Sequence, residues 1–144
     1  MRSKRRIGRL GFALSALLAV STLAGWMAAT SAAGAAAGLL DGKIFAGKMG
    51  EVGKATGDKD QFIFQGGTFR SRACDAYGFA AAPYTATKNA DGTITFTAET
   101  ESAKEGKMSW KGTVFDDAID GTVSWVKPGQ KAIDYWFKGG RKKK

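Results

Sequence analysis

The sequence contains no histidine, one cysteine and two prolines in its 144 residues. Without histidine the chain cannot form a Ser-His-Asp triad, a Cys-His pair, a histidine-ligated zinc site or histidine-bound haem. Because Cys74 is the single cysteine, no disulfide bond can form within the chain. These absences exclude the common nucleophilic and metal-dependent enzymes, so we expect a protein without catalytic residues, metal or cofactor.

Helical periodicity is also missing after residue 37, and the one helix we expect lies in the leader. Five basic residues precede an uncharged apolar run at 10–29, "LGFALSALLAVSTLAGWMAA", and small residues follow it. This order is typical of a secretory signal peptide, which we place at 1–37 with cleavage between 32 and 37. An uncleaved anchor is the alternative, since roughly 20 apolar residues can span a bilayer. Cleavage predicts a periplasmic or secreted protein of the cell envelope.

The positive charge is concentrated at the two ends of the chain. The net charge is +9, from 22 basic and 13 acidic residues, but five of the basic residues lie in the leader and four form the tail 141–144, "RKKK". The chain between them is neutral, so no basic stripe for nucleic acid is expected. For the tail, one interpretation is weak contact with an anionic membrane surface, at ~1 kcal/mol per cation. The other is a solvated end without a partner.

Three similar hexapeptides, "DGTITF", "EGKMSW" and "DGTVSW", begin at residues 91, 105 and 120. In each, aliphatic and aromatic residues alternate with polar ones, which is typical of antiparallel strands with one apolar face. The hexapeptides start 14 and 15 residues apart, and this spacing allows strands of ~9–11 residues joined by short turns. We interpret the acid-Gly pairs, including Asp91-Gly92 and Asp120-Gly121, as turns where the strands begin.

Further strands are predicted before and after these repeats. A first strand at 42–50, a hairpin at 60–72, an extended segment at 83–88 and a late aromatic strand at 132–139 show β-type sequence. The segment 73–81, "ACDAYGFAA", interrupts the pattern as a short helical turn or an inserted loop. About eight short-linked strands predict an all-β fold, an antiparallel up-and-down β-barrel over 38–140, with a β-sandwich as the alternative.

The eight short-linked strands, the strand start "GTVSW" and the late aromatic strand resemble the lipocalin-like (calycin-type) small β-barrels of exported bacterial proteins. The early Gly-x-Trp motif of true lipocalins is absent, since the first strand reads "GKIFAG" with Phe45 and no tryptophan. The resemblance therefore covers the strand pattern of the mature chain without a diagnostic motif. It implies a capacity to bind small apolar or amphipathic molecules, by analogy of fold.

The inward faces of the predicted strands carry many aromatic side chains. One hypothesis is that these rings line a ligand cavity, with tyrosine hydroxyls and Arg70 as polar anchors. The other is that the rings, which bury ~150–250 Å² each, fill a small barrel completely. The candidate ligand-binding residues are Phe62, Phe64, Arg70, Phe96, Trp110, Trp125, Tyr135 and Phe137.

Cys74 is a candidate reactive thiol. Arg70 and Arg72 precede it and would favour the thiolate, whereas Asp75 beside it would oppose the thiolate. The alternative is a small buried apolar side chain, because free cysteine is among the most buried residue types. Glu99 and Glu101 share one face of a strand, and we interpret them as a solvated face in preference to a glycosidase-like or cation-binding pair.

Two functions follow from these patterns. The first is an exported, non-enzymatic β-barrel that binds a small hydrophobic or amphipathic ligand in the cell envelope. The second is a filled barrel with an interaction or structural role, which would contact an envelope partner or an anionic surface through its loops and basic tail. In both cases we expect a monomer.

Overall fold

The computed structural model describes residues 38–143, and the predicted signal peptide at 1–37 lies outside the described residues, as does Lys144. Eight antiparallel strands follow one another in chain order, with one short 3-10 helix, Ala73–Tyr77, between the third and the fourth. The strands are β1 Ile44–Glu51, β2 Asp58–Gln65, β3 Thr68–Ser71, β4 Ala82–Lys88, β5 Ile94–Ser102, β6 Gly106–Phe115, β7 Ala118–Val126 and β8 Ile133–Arg141.

The sheet closes on itself, because β8 pairs with β1 as well as with β7. Phe45 lies opposite Arg141 and Glu51 opposite Tyr135 in the closing pair. Closure satisfies the backbone groups that an open sheet would leave at its two edges. The predicted up-and-down barrel is therefore confirmed, and the alternative of a β-sandwich is wrong.

The three repeats contribute to three neighbouring strands of the barrel, β5, β6 and β7. The strands β5, β6 and β7 have 9, 10 and 9 residues, in agreement with the predicted lengths. Their apolar residues, such as Phe96, Trp110 and Val123, are buried, while most of their threonines and lysines face solvent, with the exception of the buried Thr100. The segment 73–81 contains the 3-10 helix, which confirms the predicted short helical turn.

The turn predicted at Asp120-Gly121 is wrong. Both residues lie inside β7, which begins at Ala118, and the β6–β7 turn is formed by Asp116 and Asp117 instead, with φ of 50° at Asp116. Gly121 is required for a different reason, because a Cβ there would overlap the backbone carbonyl oxygen of Lys111 and lie 2.6 Å from Cζ of Phe137. By contrast, the Asp91-Gly92 pair does form a turn, in which the backbone N–H and the hydroxyl of Thr93 donate hydrogen bonds to Asp91.

The first residue of the basic tail belongs to the last strand of the barrel. Arg141 is the last residue of β8, and the backbone N–H of Lys142 donates a hydrogen bond to the carbonyl of Ile44 at 2.8 Å. The guanidinium of Arg141 lies 3.7 Å from the carboxylate of Asp117. Strand pairing with β1 therefore continues one residue past the predicted domain boundary at residue 140.

The barrel has two different ends. One end, which we call the terminal end, contains the segment 38–43 together with the tight turns at 66–67, 89–93 and 116–117. Leu40 inserts there with no exposed surface, and its N–H donates to the hydroxyl of Tyr84 at 3.1 Å. That hydroxyl donates to Asp41, whose carboxylate also accepts the N–H of Gly67. The opposite end, which we call the loop end, contains the longer connections 52–57, 72–81 and 127–132.

Candidate functional site

The centre of the barrel is filled by interlocking aromatic side chains. Contacting pairs of rings have centroids between 4.9 and 6.3 Å apart, with edge-to-face or tilted geometry. Such geometries are the favoured ones for aromatic pairs. These rings, which we call the ring cluster, are Phe45, Phe62, Phe64, Phe69, Tyr84, Phe96, Trp110 and Phe137.

Five of the predicted ligand-binding residues belong to the ring cluster. Their relative exposure is 2% or less, and they contact one another instead of surrounding a space. The expectation that these five line a cavity is therefore corrected, since ring–ring packing takes up the room between them. They are Phe62, Phe64, Phe96, Trp110 and Phe137.

A cavity of about 740 Å³ lies above the ring cluster at the loop end. We call it the cup. Two predicted residues, Trp125 and Tyr135, belong to its wall. Its size is within the range of small-molecule sites, which are roughly 300–1,000 Å³. The cup is lined by Met49, Gly50, Glu51, Lys54, Thr56, Gly57, Asp58, Asp60, Ala73, Cys74, Tyr77, Phe79, Glu105, Met108, Trp125 and Tyr135.

The lower wall of the cup is apolar and adaptable. Met108 is buried on β6, Met49 is half-buried on β1, and Phe79 is buried in the connection that follows the 3-10 helix. Trp125 is held in place by its indole N–H, which donates to the carbonyl of Glu105 at 2.6 Å. Partial burial, followed by the charge of the cup residue Glu51, raises the pKa of Tyr135, so its hydroxyl stays protonated at neutral pH. Flexible thioethers beside rigid rings can adapt to ligands of differing shape.

One side of the rim is the connection 52–57, which is anchored from outside the barrel. The indole N–H of Trp136, on the outer face of β8, donates to the carbonyl of Lys54 at 2.9 Å. Gly50 allows this approach, because a Cβ there would lie 2.7 Å from a ring carbon of Trp136. Lys138 lies over the same ring, 5.2 Å from its centroid. This side of the rim is thereby fixed to β8.

Asp60 places a buried carboxylate in the wall of the cup. It is 6% exposed and faces inward on β2, on the same side as Phe62. Its Oδ1 accepts the backbone N–H groups of Gln61 at 2.6 Å and Ala73 at 2.9 Å, and its Oδ2 accepts the hydroxyl of Ser71 at 2.5 Å. Burial raises the pKa of Asp60, while these three hydrogen bonds act in the opposite direction. The carboxylate is therefore oriented but carries a desolvation cost.

Cys74 lies in the 3-10 helix beside the cup and is 3% exposed. Its thiol donates a weak hydrogen bond to Sδ of Met108 at 3.8 Å. Burial above all, and then the negative charges of Asp60 and Asp75, raises the pKa of Cys74 to about 11. The thiol therefore stays protonated at neutral pH, which favours the small apolar side chain over the reactive thiol.

Arg70 does not reach the interior, and its predicted role as a polar anchor in the cavity is wrong. The strand β3 turns Phe69 and Ser71 inward, so Arg70 projects from the outer face with a 43% exposed side chain. Its Nε lies 3.7 Å from the carboxylate of Asp75. The error arises because β3 places Phe69, and not Arg70, in the inward register opposite Phe64.

The carboxylates of Glu99 and Glu101 project from the outer face of β5. The ammonium of Lys107 lies 3.4 Å from each of them, as expected for a solvated strand face. Over residues 38–143, no group of three or more carboxylates and thiols is placed to hold a metal ion. Within the same range no helix has the length and apolarity required to cross a membrane.

Comparison with protein-family models, curated proteins and solved structures gives no match for this chain. The resemblance to lipocalin-like barrels therefore stays a prediction.

Sequence reasoning missed most of the cup, although signals for several of its residues are present. Asp60 is two and four positions before Phe62 and Phe64, so strand alternation alone places its carboxylate on the inner face. Met108 is likewise two positions before Trp110. Tyr77 and Phe79 carry no such signal, because their positions depend on the path of an irregular connection.

Proposed function

We propose that this protein binds a small hydrophobic or amphipathic molecule in the cup, in the space outside the cytoplasmic membrane, and that it acts by binding and not by catalysis. The cup carries this proposal. It combines an apolar wall with polar groups at defined positions, which is the usual composition of a small-molecule site. The predicted signal peptide supports the location.

The division of the barrel into a filled half and an open half supports the same function. The ring cluster and Leu40 close the centre and the terminal end, so a ligand would have access through the loop end alone among the described parts. A rigid floor of packed rings costs little reorganisation when a ligand binds. Such an arrangement resembles a lipocalin-like site in its use of one barrel mouth, and we propose this likeness as an analogy of fold.

Dye binding tests the proposal directly. A neutral dye that fluoresces in apolar surroundings, N-phenyl-1-naphthylamine, should bind the purified protein in a saturable way. Met49→Trp, which fills the apolar wall, should weaken binding about tenfold or more, corresponding to ~1.4 kcal/mol of lost contact. Lys48→Trp is the matched control, because Lys48 is the neighbouring residue on β1 and faces solvent. It should bind the dye like the unmodified protein.

Native mass spectrometry of the protein purified from its own host provides the second measurement. A retained small molecule that is lost in Met49→Trp but kept in Lys48→Trp would support the proposal. The proposal fails if the protein retains no molecule and the dye does not distinguish the variants. That is the case if the dye binds Met49→Trp and Lys48→Trp equally, or if it does not bind the unmodified protein. Circular dichroism of each variant shows whether the barrel is intact, so that misfolding is not mistaken for lost binding.

The second candidate function is a filled-barrel interaction or structural protein, and the ring cluster favours it. In this case the outer surface, the loops and the basic residues 141–143 would contact an envelope partner or an anionic surface. We expect a monomer under both functions. Binding to anionic but not neutral vesicles, abolished by Lys142→Ala and Lys143→Ala together, would favour this second function over ligand binding.

A further inference from the structure

The cup contains more carboxylates than it can pair. Glu51 forms an ion pair with Lys54, with 2.6 Å between Oε2 and Nζ. Glu105 forms another with Lys127 at 2.9 Å. Both pairs are neutral overall, and their side chains are between 28% and 65% exposed, so water screens their charges.

Asp58 and Asp60 form no ion pair with any residue in the range 38–143. Asp58 is exposed, and water screens its charge. Asp60 is 6% exposed, so its charge is not screened in this way. The cup therefore has one buried carboxylate without a counter-ion, next to an apolar wall.

The hydrogen bonds of Asp60 leave room for one more donor. A carboxylate has about four acceptor positions, and Asp60 uses two on Oδ1 and one on Oδ2. The three donors fix the orientation of the carboxylate without neutralising its charge. A cationic donor from a ligand would offset the desolvation of this group, and hydrogen bonds between opposite charges are about twice as strong as neutral ones.

The surrounding side chains suit an organic cation better than a bare metal ion. Trp125, Tyr135 and Tyr77 expose aromatic surface to the cup, and aromatic rings attract ammonium groups. Met49 and Met108 offer thioethers, which are poor ligands for hard cations but good contacts for hydrocarbon. The charge and the apolar surface thus fit the two parts of one molecule.

Resting on the proposed binding function, we propose that the ligand is a cationic amphiphile, an organic amine whose ammonium group contacts Asp60 and whose apolar part contacts Met49, Met108 and Trp125. The amine donates a hydrogen bond to Oδ2 of Asp60, and no covalent step takes place. Neutral molecules of the same shape bind more weakly because they leave the buried carboxylate unpaired. Anionic molecules are repelled by it.

Three probes with a common naphthalene group test this inference: 1-naphthylmethylamine, 1-naphthalenemethanol and 1-naphthoate. In isothermal titration at neutral pH the affinity for the amine should be at least about ten times higher than that for the alcohol, because the amine forms a charge-assisted hydrogen bond. The acid should bind most weakly. Asp60→Asn should reduce the affinity for the amine to that for the alcohol, and leave the affinity for the alcohol unchanged.

Asp120→Asn is the matched control, since Asp120 is an exposed carboxylate on the outer face of β7 and the substitution removes the same charge. It should leave the affinity for all three probes unchanged. Equal binding of amine and alcohol, or an amine affinity unaffected by Asp60→Asn, would overturn the inference while leaving the proposed function intact. Binding of none of the three probes, together with failure of the neutral dye, would overturn both.

Discussion

At the scale of single residues, burial gives ordinary side chains different chemistry. Cys74 and Asp60 lie close together at the loop end, and removal from water raises the pKa of each. For the thiol this means loss of reactivity. For the carboxylate it means an unpaired charge that a ligand can compensate.

Thiol labelling checks the state of Cys74. Burial raises its pKa from 9.0 to about 11, which lowers the thiolate fraction about a hundredfold at neutral pH. A disulfide reagent should therefore label the folded protein slowly and the urea-unfolded protein quickly. Because Cys74 is the single cysteine, the labelling signal has one source. Equally fast labelling of both forms would contradict the assignment of a buried, unreactive thiol.

Asp60 should make stability depend on pH in a direction opposite to that of an ion-paired carboxylate. Its folded pKa is raised above the model-compound value of 3.8, mainly by burial. Its contribution to stability is therefore full below that ordinary value and is lost as pH rises through the folded pKa. In Asp60→Asn the amide Oδ1 can still accept two N–H groups and its Nδ2 can donate to Ser71. This variant should become progressively more stable than the unmodified protein as pH rises.

Urea unfolding from about pH 3 to pH 7 measures this difference. Nearby groups that do not interact with Asp60 cancel in the comparison, whereas Asp75 and Cys74 are coupled to Asp60 by charge. The charged or titratable groups nearby are Glu51, Lys54, Asp58, Cys74, Asp75, Tyr77, Glu105 and Tyr135. Asp60→Ala is the contrasting variant, because it leaves three donors without an acceptor at ~1–3 kcal/mol each. A constant difference between Asp60→Asn and the unmodified protein at all pH values would exclude the raised pKa.

At the scale of the elements, glycines inside strands allow aromatic rings to fill the barrel. Gly112 on β6 lies opposite Gly121 on β7. Phe96 and Phe137, from the flanking strands, pack over this pair. Strand glycine is usually unfavourable, so its presence here has a packing reason.

Gly112→Ala should destabilise the barrel. The new Cβ would lie 2.5 Å from Phe96 and 2.8 Å from Phe137, so at least one ring has to move. Overpacking of this kind costs about 1–3 kcal/mol, measurable by thermal or urea unfolding. Gly140→Ala is the matched control, since its nearest atom would be 3.9 Å away. Equal stability of the two variants would show that the rings can adapt without cost.

At the scale of the whole molecule, the two ends of the barrel differ, since one is closed and the other is open. The terminal end is closed by Leu40 and by the hydrogen bonds between Asp41, Tyr84 and Gly67. The loop end contains the cup. The ring cluster separates them, so a change at one end should have little effect at the other.

Leu40→Ala tests this separation. The substitution removes a fully buried side chain and should lower stability by about 2–5 kcal/mol. The affinity of the cup for N-phenyl-1-naphthylamine should stay within about twofold of that of the unmodified protein, a change worth less than ~0.5 kcal/mol. Leu39→Ala, at a partly buried neighbour, should cost less. A large loss of dye affinity in folded Leu40→Ala protein would show that the two ends are coupled.

The sequence alone predicted the strand order and most of the inward and outward faces, and it favoured a closed barrel over a sandwich. These properties depend on alternation and short links, which are local, as Phe96 on β5 and Trp110 on β6 illustrate. Local patterns also placed Trp125 and Tyr135 on the inner face. Alternation cannot distinguish a residue above the ring cluster from one within it, because the side chains of both point inward.

The tertiary structure decided where the barrel is filled and where it is open. Whether rings leave a space depends on side chains from strands far apart in sequence, such as Phe62, Trp110 and Phe137. The same is true of Gly121, which local chemistry assigned to a turn but which lies inside β7, opposite Gly112 and against the ring of Phe137. The cup and its unpaired carboxylate arise from such long-range packing, because volume and burial are properties of the assembled barrel and not of any one segment.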